Sequence, residues 1–233
     1  MYKNYGKDTR NKIKGCIENI HSRRSLSIMR QLETYMAKRF RIGPQRIIHW
    51  GEMAIVESFL DLAGGKFGKI LDCPCGYGRL TEVLSRRSEI LYSSDISPHK
   101  VAVHANFFSE PKIKLLNAAS NITRLPFKER VFDGTVTFRL FHHLDNKEVR
   151  TAIFREAARV TDKFLILSFY RKNVLHEMSR SFNMNSSIRK RKIVLIEADI
   201  IRQEAEQAGW KLIECSKVLP GIHAQTIALF MKP

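Results

Sequence analysis

Apolar residues recur along this chain at two different periods, and the change of period divides it. From Ser25 to Phe40, the residues Leu26, Met29, Leu32, Tyr35 and Met36 return at helical spacing. Gly43-Pro44 interrupts the pattern, and Pro44 suits the first turn of a second helix over 45–62. Ile47, Ile48, Ala54, Ile55, Phe59 and Leu60 form the expected apolar side of that helix, and Gly64-Gly65 ends it. Short apolar runs then alternate with helical patterns. Strands are expected at 69–73, 89–94, 113–118, 131–138 and 163–169, with helices at 78–87, 97–107 and 147–160. A helix at 196–208, closed by Gly209, precedes two further strands at 210–218 and 224–231, joined around Pro220-Gly221. Alternating strands and helices predict a parallel sheet covered on both faces. The last two strands are expected as a hairpin that inserts one antiparallel strand.

The first strand runs into the stretch that carries the chemistry, Leu71-Asp-Cys-Pro-Cys-Gly-Tyr-Gly-Arg-Leu-Thr81. A strand, a turn holding Gly76 and Gly78, and an immediate helix form the front end of a nucleotide-binding βαβ unit. Glycines there let the backbone approach a ligand where a Cβ would collide. Asp95 ends the second strand nineteen residues after Gly76, where a ribose diol needs an acceptor pair. A dinucleotide turn asks for a third glycine, and that place holds Thr81.

The pattern Leu-Asp-x-x-Cys-Gly-x-Gly-x-x-Thr resembles instead the first motif of the class I S-adenosylmethionine-dependent methyltransferases. Ser120-Asn-Ile-Thr-Arg-Leu-Pro-Phe127, followed by Phe132-Asp133, is similar to the third- and fourth-strand signature of the methyltransferase type 11 and ubiquinone-methylase-like group. That group usually has an acid where Asn121 stands; an amide still accepts through its carbonyl oxygen. Phe138-Arg-Leu-Phe-His-His-Leu144 resembles the segment lining the methionine end of the cofactor. The combination with Leu-Ser-Phe169 resembles bacterial members associated with cell-envelope saccharides. The resemblance implies a Rossmann-like α/β fold with an N-terminal helical lid, and S-adenosylmethionine as cofactor. It implies cofactor contacts at Asp72, Cys75, Gly76, Gly78, Asp95, Ile96, Asn121, Ile122, Phe138 and Arg139. His142 and His143, just past the fourth strand, are candidate general bases, with His143 favoured. His49 and Trp50 lie on the lid helix, where Trp50 is expected to be buried. The expected organisation is a basic tail and lid over 1–66 and a methyltransferase domain over 67–233, with a basic insert at 170–195.

Charge narrows the partner. The 233 residues carry a net +17, of which residues 1–50 hold +9 and residues 170–193 hold +6. The nucleotide-binding core is nearly neutral, and two appendages expected to overhang the acceptor pocket are basic. Such a rim favours an anionic small-molecule or lipid-linked acceptor, or peripheral contact with an anionic membrane surface. The alternative is an RNA methyltransferase that uses the same segments to hold nucleic acid. Against it, no Asn-Pro-Pro-Tyr-type tetrad follows the fourth strand. A non-catalytic binding module is disfavoured by the intact Gly76, Gly78 and Asp95, and a nicotinamide oxidoreductase by Thr81. No run of eighteen apolar residues exists, and the polar opening decapeptide has no signal-peptide core. Cys16, Cys73, Cys75 and Cys215 lack zinc-site spacing and read as reduced thiols in the cytoplasm.

Overall fold

The computed structural model describes residues 44–108, 114–171, 193–220 and 224–233. The expected helix at 25–40 and most of the basic insert lie outside the described residues.

All seven expected strands form: β1 Phe67–Asp72, β2 Ser88–Asp95, β3 Leu115–Ala119, β4 Phe132–Thr137, β5 Thr161–Tyr170, β6 Lys211–Lys217 and β7 Gln225–Met231. They make one sheet in the order β3-β2-β1-β4-β5-β7-β6. The first five strands are parallel, and β7 is antiparallel to both β5 and β6. The hairpin therefore inserts one antiparallel strand, as the pattern predicts. From β1 the chain turns one way to β2 and later the other way to β4. The crevice beyond their carboxyl ends is the place where such sheets take ligands.

Among the described residues five α-helices cover the sheet: α1 Pro44–Leu62, α2 Thr81–Arg87, α3 Pro98–Phe107, α4 Lys147–Val160 and α5 Ala198–Glu206. α3 starts with Pro98 behind Ser97, whose hydroxyl accepts from the Lys100 amide, and the Asn146 side chain caps α4 by accepting from Val149. α2 begins three residues later than expected. Gly76 and Gly78 hold φ of 57° and 83°, which no helix contains, so the turn must finish first.

Helix α1 buries Ile48, Phe59 and Leu60 as expected, with Ile55 packed against the core, but its inward stripe is shifted away from Ile47 and Ala54. Ile47 and Ala54 are exposed, whereas Ile48, Met53, Val56, Phe59, Leu60 and the charged Glu52 are buried. Burial at 48, 52, 56, 59 and 63 follows one helical stripe. It carries Val56, Phe59 and Leu60 into the cluster formed by Ile70, Leu84, Val136, Phe164 and Leu229. It also delivers Glu52 to two arginines described below. Trp50, expected in the core, is only half-buried, and Arg46 one turn earlier stacks over its ring at 4.2 Å. On the other face α4 and α5 close a second cluster around Phe154, Phe169, Trp210 and Phe230. The buried Arg150–Glu204 ion pair, 2.6 Å at its closest, joins those two helices.

One close approach fixes the sheet's centre. A Cβ on Gly134 of β4 would meet the Phe164 ring at 1.9 Å, and that ring also packs on Phe67 with centroids 4.7 Å apart. Gly134→Ala must displace an aromatic ring from a filled core, at a cost of about 1–3 kcal/mol. Urea denaturation will read it as a lower midpoint at unchanged slope.

Candidate active site

A cleft of about 580 Å³ opens at the carboxyl ends of β1, β2 and β4. Its floor is the turn after β1. The Cys75 amide donates to the Ser94 carbonyl at 2.7 Å, and the Gly76 amide donates to Asp95 Oδ2 at 3.1 Å. The turn is thus fastened to the tip of β2. A Cβ at Gly76 would meet nothing within 4 Å, so the backbone there faces open space. Gly78 works differently: its Cβ would strike the Phe108 ring at 2.1 Å, so this glycine serves packing under α3.

Two carboxylates meet at this floor. Asp95 is 1% exposed; Oδ1 accepts from the Ser97 amide at 2.9 Å, and Lys100 Nζ lies 3.4 Å from both oxygens. Asp72 is 1% exposed, lines the cleft, and its Oδ2 has no hydrogen-bond partner. Burial, and secondarily the charge of Asp95, hold the Asp72 carboxyl well above the usual carboxylate range. Burial and Asp72 likewise push the Cys73 and Cys75 thiols up, so neither supplies a thiolate nucleophile. Among the described residues no group of His, Cys, Asp and Glu is placed to hold a metal ion.

The opposite wall is the segment after β4. Phe138, Arg139, Leu140, His142 and His143 all line the cleft. Arg139 sits in the left-handed region at φ 54°, a conformation that costs a bulky residue energy and points to a demand on its side chain. Its amide donates to Ser168 Oγ at 2.7 Å. His142 is buried with its ring 4.6 Å from Tyr170 and 3.9 Å from His143, which is exposed.

Of the residues singled out in the sequence, the cleft brings together Asp72, Cys75, Gly76, Asp95, Ile96, Phe138, Arg139, His142 and His143. Gly78, Asn121 and Ile122 do not line it. Asn121 is exposed, with Oδ1 accepting from the Thr123 amide and hydroxyl, and Ile122 packs against the Leu125 and Phe132 cluster. Sequence reasoning missed Arg79, Lys100 and Glu52. Glu52 had a signal: it falls four residues after Ile48 and four before Val56, an acid on an apolar stripe.

These groups fit the cofactor that the motifs imply. Asp95 offers an acceptor pair for a diol, and the Asp72 carboxyl, with its Oδ2 unbonded, suits a cationic ligand. Ile96, 70% exposed at the cleft, offers an apolar plate for a base. Asp72 has a consequence for stability. The unfolded carboxyl ionises near 3.8 while the folded one holds its proton to higher pH, so the folded chain binds more protons and stability falls as pH rises above 3.8. Asp72→Asn removes that dependence. Its unfolding midpoint should exceed the unsubstituted protein's, by more at about pH 8 than at about pH 5. Thermal denaturation at the two pH values checks it, and an equal shift at both would refute it.

Comparison with known proteins agrees with this geometry. Residues 70–163 match the family model described as "Methyltransferase domain". The fold is similar to magnesium protoporphyrin IX methyltransferase from Synechocystis PCC 6803, solved with bound SAH (TM-score 0.67, 19% identity, covering 84% of this chain and 92% of that one). It is also similar to an S-adenosylmethionine-dependent methyltransferase from Clostridium acetobutylicum ATCC 824 (TM-score 0.65, 13% identity, 87% and 98%). A third match is the complex between the Haloferax volcanii Trm112 methyltransferase activator and the putative methyltransferase (TM-score 0.64, 12% identity, 92% and 100%). Among curated proteins no sequence matches. Residues at the centre of the chain thus match a methyltransferase domain, the fold around them is similar to that of S-adenosylmethionine-dependent methyltransferases, and the cleft fits their cofactor.

Proposed function

We propose that the enzyme methylates an oxygen of a small or lipid-linked, negatively charged, saccharide-like acceptor, with His143 as general base. The observation that carries this reading is the lip of the cleft, where the exposed His143 stands against the buried His142 and close in sequence to Arg139. When bound, S-adenosylmethionine supplies a methyl group already activated as a sulfonium. Asp95 would hold its ribose hydroxyls, Ile96 and Phe138 would cover its apolar parts, and Asp72 and Arg139 would face its charged end. A ring nitrogen of His143 takes the proton from the acceptor hydroxyl and later releases it to solvent. Alignment in such a cleft contributes about 7–11 kcal/mol, and a positioned base about 10²–10⁴-fold.

The anionic character of the acceptor rests on charge and on where the basic insert begins and ends. The described chain reaches Arg171 and resumes at Ile193. The Val194 amide donates to the His142 carbonyl at 2.9 Å, and the Ile196 amide to the Tyr170 carbonyl at 2.8 Å. Both described ends of the insert are therefore tied to the histidine lip. Among the described residues no helix is long and apolar enough to cross a membrane. The proposed location is the cytoplasm, with the basic segments meeting the inner membrane surface. The net charge of +17 favours RNA as the second reading.

His143→Ala should lower turnover by about 10²–10⁴-fold while cofactor affinity stays within about twofold. Equal turnover and an identical pH–rate profile would remove His143 from the role, and the same test on His142 decides between them. Neutralising Arg189, Lys190, Arg191 and Lys192 together should raise the apparent KM without changing turnover at saturation. The protein should bind anionic vesicles in a salt-dependent way, since a Debye length of about 8 Å at physiological salt screens such a rim. Salt-dependent binding to transfer RNA and not to vesicles would favour the RNA reading.

A further inference from the structure

The cleft wall holds two guanidinium groups that come from distant parts of the chain, and a single carboxylate holds both. Arg79 follows the glycine turn, and Arg139 follows β4. Glu52 of α1, 0% exposed, reaches between them. Its Oε1 accepts from Arg139 Nε at 2.9 Å and Nη2 at 2.5 Å, and its Oε2 accepts from Arg79 Nη1. Arg139 Nη2 also reaches Gln225 Oε1 of β7 at 3.3 Å. His49 lies 4.0 Å from Glu52, but burial and the two arginines push its pKa down to about 3, so it stays neutral. Glu52 is thus the anion that balances two cations. Without it, like charges in a poorly solvated wall repel and swing apart.

Glu52 lies outside the matched methyltransferase segment of residues 70–163. Arg79 and Arg139 both line the cleft. Resting on the reading that S-adenosylmethionine occupies this cleft, we propose that Glu52 is a positioning residue of the cofactor site. It sets Arg79 and Arg139 in the wall, and through them couples ligand occupancy of the cleft to the docking of α1. The demand on Arg139 also accounts for its left-handed backbone: φ of 54° turns the side chain out of the strand direction and toward α1. The same pairing accounts for an acid on the buried stripe of α1, in line with Ile48, Val56 and Phe59.

The test uses the full chain with S-adenosylhomocysteine as the probe. Calorimetry gives affinity, and hydrogen–deuterium exchange over residues 44–62 gives ligand-dependent protection of α1. In the unsubstituted protein the ligand should increase that protection. Glu52→Gln should weaken binding about tenfold or more and abolish the added protection, as expected when a buried charge partner is lost. Val56→Ala destabilises the same helix without touching the arginines; it should lower the unfolding midpoint and leave affinity within about twofold. If Glu52→Gln fails to fold, Glu52→Gln with Arg79→Gln restores the charge balance, and that variant should fold and still bind weakly. Unchanged affinity and protection in Glu52→Gln, or equal weakening in Val56→Ala, would overturn the coupling while leaving the cofactor reading intact. Absence of S-adenosylhomocysteine binding to the unsubstituted protein would overturn the cofactor reading and this inference together.

Discussion

The hydrogen bond from the Gly76 amide to the Asp95 carboxylate is the constraint on which the site depends. It joins the loop leaving β1 to the tip of β2, and it requires Gly76 at φ 57°, which side-chain-bearing residues adopt only with strain. The parallel register pairs Asp72 with Ser93, so Asp95 stands two residues further along, just beyond the end of β1. Burial of the Asp72 carboxyl, and secondarily the like charge of Asp95, oppose its ionisation, which is why it retains its proton to higher pH. Burying Asp72 costs stability as pH rises. A cationic ligand would offset that cost, so the group that destabilises the chain is also one suited to a cationic cofactor.

The remaining architecture supplies walls to that floor. β4 ends beside β1 and feeds Phe138, Arg139 and the two histidines along the cleft's other side. Phe164 can lie across the sheet centre only because Gly134 has no side chain. α1 packs into the core beside Ile70 and Val136 and reaches the cleft through Glu52. It is part of the site's framework as well as a cover for the sheet.

Much of this was legible in the sequence, for identifiable reasons. Strands such as Ile70–Leu71 and Leu165–Leu167 are buried on both faces, so they read as continuous apolar runs bounded by turn residues. The glycine turn and Asp95 lie close in sequence and carry a spacing that chemistry dictates. What could not be read depends on side-chain reach across the fold. Lys100 meets Asp95 only because α3 turns back over the strand tip, and Glu52 meets Arg139 across a separation of 87 residues. On α1 the apolar pattern picks out Ile48, Phe59 and Leu60 but also the exposed Ile47 and Ala54, and it passes over Glu52, whose burial depends on the arginines it meets. Asn121 carries a motif position, yet its carbonyl oxygen is satisfied locally by Thr123. Gly78 matches the motif but answers to Phe108.

Whether this cleft holds S-adenosylmethionine with its ribose on Asp95 is decided by a crystal structure of the full chain with S-adenosylhomocysteine. Both ribose hydroxyls should lie on the Asp95 carboxylate, with the Gly76 amide still bonded to Oδ2 and the ligand's amino acid end between Asp72 and Arg139. Density for the ligand elsewhere, with the Asp95 carboxylate making no contact to the ribose, would contradict that placement.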